Sequence, residues 1–396
     1  MSLMPGRGSP AGGGWRISFI CHEFPPFGGG AATALDALSR ELVQRGHQVQ
    51  IVTVGAGLGQ AVEEDCLNRR QVVRLGGLRR STLTPTTLEL LFSYLTLRWR
   101  GFAPLAAFSP QAVVAFFAFP AGHALFSMGI PSDIPCAVWL RGSDVPGFFN
   151  SRWHWLQPLH PYLVRPVLAK ADLLLANGDH LAHLANHFFP QRSPYAVANG
   201  IDPTHYYPAP VDETTVPYRI LAVGQLIPRK GWQELLVAME WISQQGKNLH
   251  LTLVGDGPMR HLLQQQAAAI APPVTVHLAG YCPREEMATI YRNHHLLVHL
   301  SKAEGVSNVL LEALASGLPV ITRAESVVES GLTSPAITLL PEITGPSVGE
   351  AILRMVENTP HWLDLSRHAR KTALRYSWSL TASQLEALLK PLIQRH

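Results

Sequence analysis

Glu304 and Glu312 stand with seven residues between them in the run SKAEGVSNVLLEALASGLPVIT, Ser301 to Thr322. On one helix two such carboxylates would lie about 12 Å apart along the axis. That exceeds the roughly 5 to 9.5 Å between the paired acids of a glycosidase. Cleaving a sugar bond between them is therefore a poor fit, and holding two parts of one long ligand is a good one. An ionised carboxylate only accepts hydrogen bonds, and sugar hydroxyl pairs are its natural donors.

The flanking residues say what positions these acids. Leu296 to Leu300 reads as a buried strand and Pro319 to Thr322 as another. Between them Gly305 breaks the pattern and Ser307 or Asn308 can cap a helix. Val309, Leu310, Ala313 and Leu314 then recur at helical spacing until Gly317 and Pro319 stop it. A strand, a loop and a helix start form an anion site, because first-turn amides lack internal partners and the helix dipole favours negative charge. With a diphosphate at that helix start, Glu304 reaches a sugar on one side and Glu312 a ribose on the other.

Glycine-rich turns follow two further strands. Ile17 to Cys21 leads to Gly28, Gly29 and Gly30, then to a helix over Ala31 to Gly46 and a strand over Val49 to Val54. This is a βαβ opening whose glycines let backbone approach a diphosphate. Arg219 to Val223 leads to Gly224 and the pair Arg229–Lys230, then to a helix over Trp232 to Ile242. Leu249 to Val254 ends at Gly255, and Val274 to Leu278 leads to Gly280 and Tyr281. Cys136 to Leu140 is a strand ending in Arg141, Gly142, Ser143 and Asp144. Arg141 either grips an anion through its fork of donors or pairs with Asp144 to tie the loop.

Two other patterns compete for a role. His180, His183 and His187 share a helical face at zinc-ligand spacing, but no HExxH or cysteine pair accompanies them, so a His-rich surface is preferred. Thr84 to Phe108 is apolar, aromatic and basic, which suits a membrane surface or a buried domain helix. The buried helix is preferred, since Glu89 is the only acid to mark a polar face.

At 396 residues the chain exceeds one core, and 47% hydrophobic with 15% charged residues describes a globular protein. A net charge of +4 permits contact with phosphates or an anionic membrane face and does not call for nucleic acid. Cys21, Cys66, Cys136 and Cys282 are scattered, which suits a reducing cytoplasm. No window reaches membrane-spanning length. No GxGxxG follows the first strand and no acid ends the second, which argues against a nicotinamide-dependent dehydrogenase.

The run EGVSNVLLEALASGLPVI resembles the E-x7-E signature of the GT-B retaining glycosyltransferases of family 4. Companion motifs fall in order. PPFGG resembles the loop under the donor phosphates, and Asn199-Gly200-Ile201-Asp202 resembles the NGVD that closes the first domain. Val223 to Gly231 resembles V-G-R-L-x-x-x-K-G, with Gln225 where Arg is common. There are two departures. Arg141 replaces a usual His, in a form that resembles an Arg-Gly-x-Asp-Val-Pro-Gly subgroup. Arg323 to Glu329 replaces a usual Gly-Gly-x-x-Glu. The likeness spans about residues 15 to 392, with its specific motifs between 219 and 322.

The resemblance implies an α/β GT-B architecture: two Rossmann-like doubly wound domains facing across a cleft, with a C-terminal helix crossing back to the first. The expected division is a disordered tail over 1–14, an acceptor-side domain over 15–202, a linker over 203–217, a nucleotide-sugar domain over 218–375 and the returning segment over 376–396. It also implies a retaining, metal-independent transfer of a hexose-type sugar from a nucleotide diphosphate sugar to an acceptor hydroxyl, with no cofactor. Glu304, Arg229 and Lys230 fall on catalytic positions. Gly29, Gly30, Arg141, Asp144, Gly224, Gly255, Tyr281, Gly305, Val306, Ser307, Asn308, Val309 and Glu312 fall on donor-binding ones. The acceptor is a glycan, a lipid-linked molecule or a small molecule, and the setting is cytoplasmic, with peripheral contact at the inner membrane face permitted. Within the fold the rivals are an epimerase, a phosphorylase or a non-catalytic nucleotide-sugar-binding protein.

Overall fold

The computed structural model describes residues 13–65, 69–78, 85–145, 160–209, 218–302, 307–325, 332–357 and 359–395. The chain divides into two compact units. One runs to Gly200 and resumes at Trp378, and the other is Ile201–Ser377.

The first unit is built on an eight-stranded sheet. Its strands are β1 (Arg16–Ile20), β2 (Gln48–Val54), β3 (Ala56–Asp65), β4 (Arg70–Leu78), β5 (Ala112–Phe116), β6 (Cys136–Leu140), β7 (Leu173–Ala176) and β8 (Tyr195–Ala196). They lie in the order β3-β4-β2-β1-β5-β6-β7-β8, parallel except for β3 against β4. Helices are α1 (Gly30–Gln44), α2 (Thr87–Arg100), α3 (Phe102–Phe108), α4 (His123–Leu125), α5 (His160–Lys170) and α6 (Asp179–Phe188).

Alternation of side chains along each strand splits the core in two. Ile17, Phe19, Ile51, Val114 and Trp139 pack on α1. Ile20, Val52, Ala115, Val138 and Leu174 pack with Leu97 and Leu105 on the other face. Central strands buried on both faces read as continuous apolar runs, which is why β5 and β6 are legible in the sequence. The strand order reverses between β1 and β5, and crevices for ligands form at the carboxyl ends of such strands.

The second unit has six parallel strands: β9 (Tyr218–Val223), β10 (Leu249–Val254), β11 (Thr275–Gly280), β12 (Leu296–His299), β13 (Val320–Arg323) and β14 (Ile337–Leu340). Their order is β11-β10-β9-β12-β13-β14. Renumbered within the unit this is 3-2-1-4-5-6, the doubly wound dinucleotide-binding order, with its switch point between β9 and β12. The helices are α7 (Trp232–Gln244), α8 (Arg260–Ala268), α9 (Arg284–Arg292), α10 (Asn308–Ala315), α11 (Gly345–Val356) and α12 (Thr359–Ala373). The last helix, α13 (Trp378–Ile393), belongs to the first unit, where Trp378, Ala382, Leu385 and Leu389 join the core beneath α1. Its Glu386 accepts from Arg45 at 2.8 and 2.7 Å and meets His47 Nε2 at 2.8 Å.

Three features depart from expectation. The β3–β4 hairpin occupies a stretch in which the sequence suggested no strand. Residues 203–209, read as linker, are tied into the second unit: Tyr206 is buried, and Arg370 donates to the Tyr206 and Pro203 carbonyls at 2.6 and 2.9 Å. The rest of that stretch, 210–217, and residues 1–12 of the expected tail lie outside the described residues. The helix expected over 84–108 begins after a capping box at Thr86 and is interrupted at Gly101. It is not buried all round, because Leu88, Leu91, Phe92, Leu95 and Trp99 are exposed.

Candidate functional site

At the switch point of the second unit, β9 ends at Gly224 and the chain turns through the short 3-10 segment Pro228–Lys230 into α7. Neighbouring turns meet here. Gly224 N–H donates to Val254 at 3.0 Å, Leu226 to Asp256 at 3.0 Å and Gly255 to Gly280 at 2.7 Å. Gly255 has φ +141°, and a β-carbon there would stand 1.9 Å from the Gly224 carbonyl oxygen. Only glycine fits so close a crossing of two chains. A β-carbon on Gly224 would stand 3.3 Å from Lys230 Cε and 3.5 Å from its Nζ, so the ammonium lies over the turn. Lys302 N–H donates to the Arg229 carbonyl at 2.9 Å, tying this basic turn to the segment that follows β12.

The same switch point carries the start of α10. Ser307 is its N-cap, with φ −73° and ψ 130°, and its own side chain makes no capping hydrogen bond. Half-buried Asn308 and Val309 open the helix. Glu304, Gly305 and Val306, the remaining members of the expected cradle, lie outside the described residues. Glu312 is buried on α10, where Tyr291 Oη of α9 donates to its Oε2 at 3.0 Å. Burial pushes the Glu312 carboxyl above the usual carboxylate range, against the pull of Arg284 and of the Tyr291 hydroxyl. Tyr206 also faces this carboxylate, and its own hydroxyl is pushed up by burial first and by Glu312 second. Tyr281 follows β11 as an exposed ring. Arg260 donates to Asp256 Oδ2 at 3.2 Å beside Gly280.

The remodelled segment after Thr322 starts with a buried cation. Arg323 Nε donates to the Leu300 carbonyl at 2.8 Å, and its Nη2 lies 3.4 Å from Glu234 Oε1 on α7. It therefore braces the end of β12 against α7. Residues 326–331 lie outside the described residues.

In the first unit, the loop after β1 is held by Phe24, whose ring lies 5.7 Å from Arg70 Cζ and 5.6 Å from Arg74 Cζ. Gly28 has φ +105°, and a β-carbon there would meet Glu23 and Ala32 at 2.8 Å. Gly29 and Gly30 are exposed at the head of α1, and among the described residues a β-carbon on Gly29 would meet nothing within 4 Å. At the end of β6, Asp144 accepts the backbone N–H groups of Ala118, Arg141 and Gly142 at 2.9, 3.0 and 2.9 Å. It thereby holds the turn in which Phe117 takes φ 77°, a strained value for a residue with a side chain.

The Arg141 guanidinium does not pair with Asp144. Its Nη2 donates to Asn199 Oδ1 at 2.7 Å, and its Cζ lies 4.9 Å from the Phe116 ring and 5.5 Å from that of Trp139. Among the described residues, Nε and Nη1 are buried without a hydrogen-bond partner. Burial lowers its pKa to about 10, so it stays charged at neutral pH.

The structure thus gathers Gly224, Gly255 and Lys230 at one turn of the second unit, with Ser307, Asn308 and Val309 at the carboxyl end of the neighbouring strand. Gly29, Gly30, Arg141 and Asp144 belong to the first unit. Sequence reasoning missed the Tyr206, Arg284 and Tyr291 environment of Glu312 and the brace made by Arg323. A tyrosine in the helix before β12 and a cation ending β13 were the only signals available. Among the described residues no three His, Cys, Asp or Glu side chains group as a metal site.

A family model described as glycosyl transferases group 1 matches residues 209–371, and one described as glycosyltransferase family 4 matches residues 28–205. A GDP-mannose-dependent alpha-mannosyltransferase of Mycobacterium tuberculosis is 25% identical, over 94% of this chain and 95% of the relative. Sucrose-phosphate synthase from Thermosynechococcus elongatus superposes with a TM-score of 0.80 at 18% identity, covering 96% of this chain and 100% of that one. Anabaena HepE in complex with UDP-glucose superposes with a TM-score of 0.69 at 17% identity, covering 95% and 100%.

Proposed function

The chain belongs to the family 4 glycosyltransferases of the GT-B fold, and from that premise we propose that it moves a hexose-type sugar from a nucleotide diphosphate to an acceptor hydroxyl, with retention at the anomeric carbon and without a metal. The observation that carries this reading is the β9–β12 switch point, where an ammonium lies over a glycine turn and the neighbouring strand leads to a helix start whose N-cap Ser307 makes no side-chain capping bond. In this reading Arg229 and Lys230 take the diphosphate together with the amides of Ser307, Asn308 and Val309. Glu312 holds the ribose, and Glu304 and the adjoining Gly305 and Val306 hold the donor sugar. Tyr281 lies toward the base.

The bond from the anomeric carbon to the diphosphate oxygen breaks, and a bond to the acceptor oxygen forms on the same face. The acceptor proton passes to the leaving phosphate. Negative charge grows on the diphosphate as the bond breaks, and two fixed cations stabilise that charge most at the transition state. This supports a metal-free reaction and the absence of a cofactor. The mannosyltransferase relative and the UDP-glucose bound by the HepE structure make GDP-mannose and UDP-glucose the first donors to try.

The test is nucleotide diphosphate release by the purified chain across a panel of nucleotide sugars, in the presence of a chelator, with product anomers read by NMR. An α-linked product from an α-linked donor, formed in chelator, is expected. Inversion, or a rate restored only by a divalent ion, would overturn the reading. Turnover of donor alone to its epimer, or a requirement for inorganic phosphate, would identify one of the rivals.

A further inference from the structure

Arg141 has no part in the donor reading, although it stands at the carboxyl end of β6, beside the β1–β5 switch point of the first unit. Of its three side-chain nitrogens, Nη2 alone is satisfied among the described residues, by the Asn199 amide oxygen at 2.7 Å. Trp139, whose ring centroid lies 5.5 Å from the guanidinium carbon, is in the same condition: its Nε1 is buried and has no acceptor among the described residues. Three buried nitrogens in neighbouring side chains thus carry hydrogens with nowhere to go. Neither a guanidinium nor an indole N–H can accept in return. A buried donor that makes no bond bears the full cost of its desolvation.

The polar neighbours do not supply what is missing. Both Asp144 oxygens are engaged, Oδ2 by the Ala118 N–H and Oδ1 by those of Arg141 and Gly142. Asn199 has turned its oxygen to Nη2. A water accepts two hydrogen bonds and brings two donors of its own into a wall of donors. An oxyanion brings none and accepts at each oxygen, most strongly from a guanidinium fork. The fork is held ready for it, since the Phe116 ring centroid lies 4.9 Å from Cζ and the Trp139 ring also packs against it. Burial lowers the Arg141 pKa to about 10, against the pull of Asp144, Cys21 and Glu23, so the charge is present at neutral pH.

We propose that Arg141 is the recognition group for an oxyanion, a phosphate or a carboxylate, carried by the acceptor. This rests on the donor reading, in which Arg229, Lys230 and the start of α10 take the donor's diphosphate in the second unit and leave the cation of the first unit to the other substrate. The acceptor is then an anionic molecule, and a neutral sugar offering the same hydroxyl is a poor one.

The experiment is a titration of the full chain with inorganic phosphate, and separately with acetate, in saturating GDP or UDP, following the arginine Nε–H signals by NMR. The Arg141 signal is assigned by its loss in Arg141→Lys. It is expected to shift saturably, and Arg141→Lys should weaken phosphate binding about 10- to 100-fold. Asn199→Asp sets a carboxylate against Nη2 and should also weaken phosphate binding while the chain melts no lower than the wild type, which separates competition for the fork from loss of folding. An Arg141 signal that neither anion moves, in a chain that binds the nucleoside diphosphate, overturns this proposal and leaves the donor reading standing. A signal moved by the nucleoside diphosphate alone, with phosphate then excluded, assigns Arg141 to the donor and also overturns it. A chain that takes phosphate at Arg141 but binds no nucleoside diphosphate overturns the donor reading and, with it, the assignment to the acceptor.

Discussion

Lowering the pH from about 7 to about 5 is expected to cost the second unit about 4 kcal/mol of stability through His294 and His295. Both rings are held down to about 4, first by burial and then by the charge of Arg219, against about 6.5 in an unfolded chain. The folded state therefore refuses a proton that the unfolded state accepts between these values. This stability is fully present above the unfolded value and is lost as the pH falls through the window toward 4. At about pH 5 each ring contributes about 2 kcal/mol of the loss.

Geometry explains the refusal. His294 Nδ1 lies 2.6 Å from the Ile290 carbonyl and must donate, leaving Nε2 to accept from Thr252 Oγ1 at 2.8 Å. His295 Nδ1 accepts the Arg219 N–H at 2.9 Å, so a proton on that nitrogen meets a donor. Urea unfolding across this pH range, followed by amide exchange in β9 to β12, reads the slope in this unit by itself. His294→Gln and His295→Gln should each flatten it. The reasoning is refuted if either ring titrates near 6.5 in the folded protein by NMR, or if both substitutions leave the slope unchanged.

Gly255→Ala puts a β-carbon 1.9 Å from the Gly224 carbonyl at φ +141°; the conformation alone costs about 1–3 kcal/mol, and thermal melts should show a destabilised unit with weaker protection by nucleotide sugars. Glu386→Gln removes the bidentate acceptor of Arg45; for a solvent-screened pair this should cost about 1 kcal/mol or less at neutral pH. The Arg45 hydrogen bond depresses the Glu386 pKa, so that contribution is present above the ordinary glutamate value and vanishes as the pH falls through the depressed one. Denaturant titrations of the two chains should therefore converge in acid. Asp144→Ala leaves the N–H groups of Ala118, Arg141 and Gly142 without their acceptor; at about 1–3 kcal/mol for each buried donor, calorimetry should find a strongly destabilised first unit.

Much of the fold was legible because its central strands are buried on both faces and its turns are marked by glycine. The β1–α1–β2 opening and the β9–α7–β10 opening stand close to where periodicity put them. The β3–β4 hairpin was not legible, since AGLGQAVEED mixes glycine and acid and runs along the exposed edge of the sheet. In α2 apolar residues lie on both sides, so spacing alone could not separate Leu90 and Leu97, which face inward, from Leu88 and Leu91, which do not. At the site, backbone motifs were readable because they are local. The environment of Glu312 was not, because Tyr206 and Tyr291 reach it from distant parts of the chain. The alternative that tied Arg141 to Asp144 failed for a related reason: three backbone N–H groups satisfy Asp144, which sends the guanidinium to Asn199 and two aromatic rings.

The measurement that bears most directly on the central claim is the rate of nucleotide diphosphate release at saturating donor, in chelator, by the wild-type chain and by Lys230→Ala. Loss of one preorganised charge-stabilising group is expected to slow release by about 10²- to 10³-fold while the wild type keeps its rate. Equal rates for the two chains, or a wild type silenced by chelator, would contradict a transfer driven by fixed cations over the Gly224 turn.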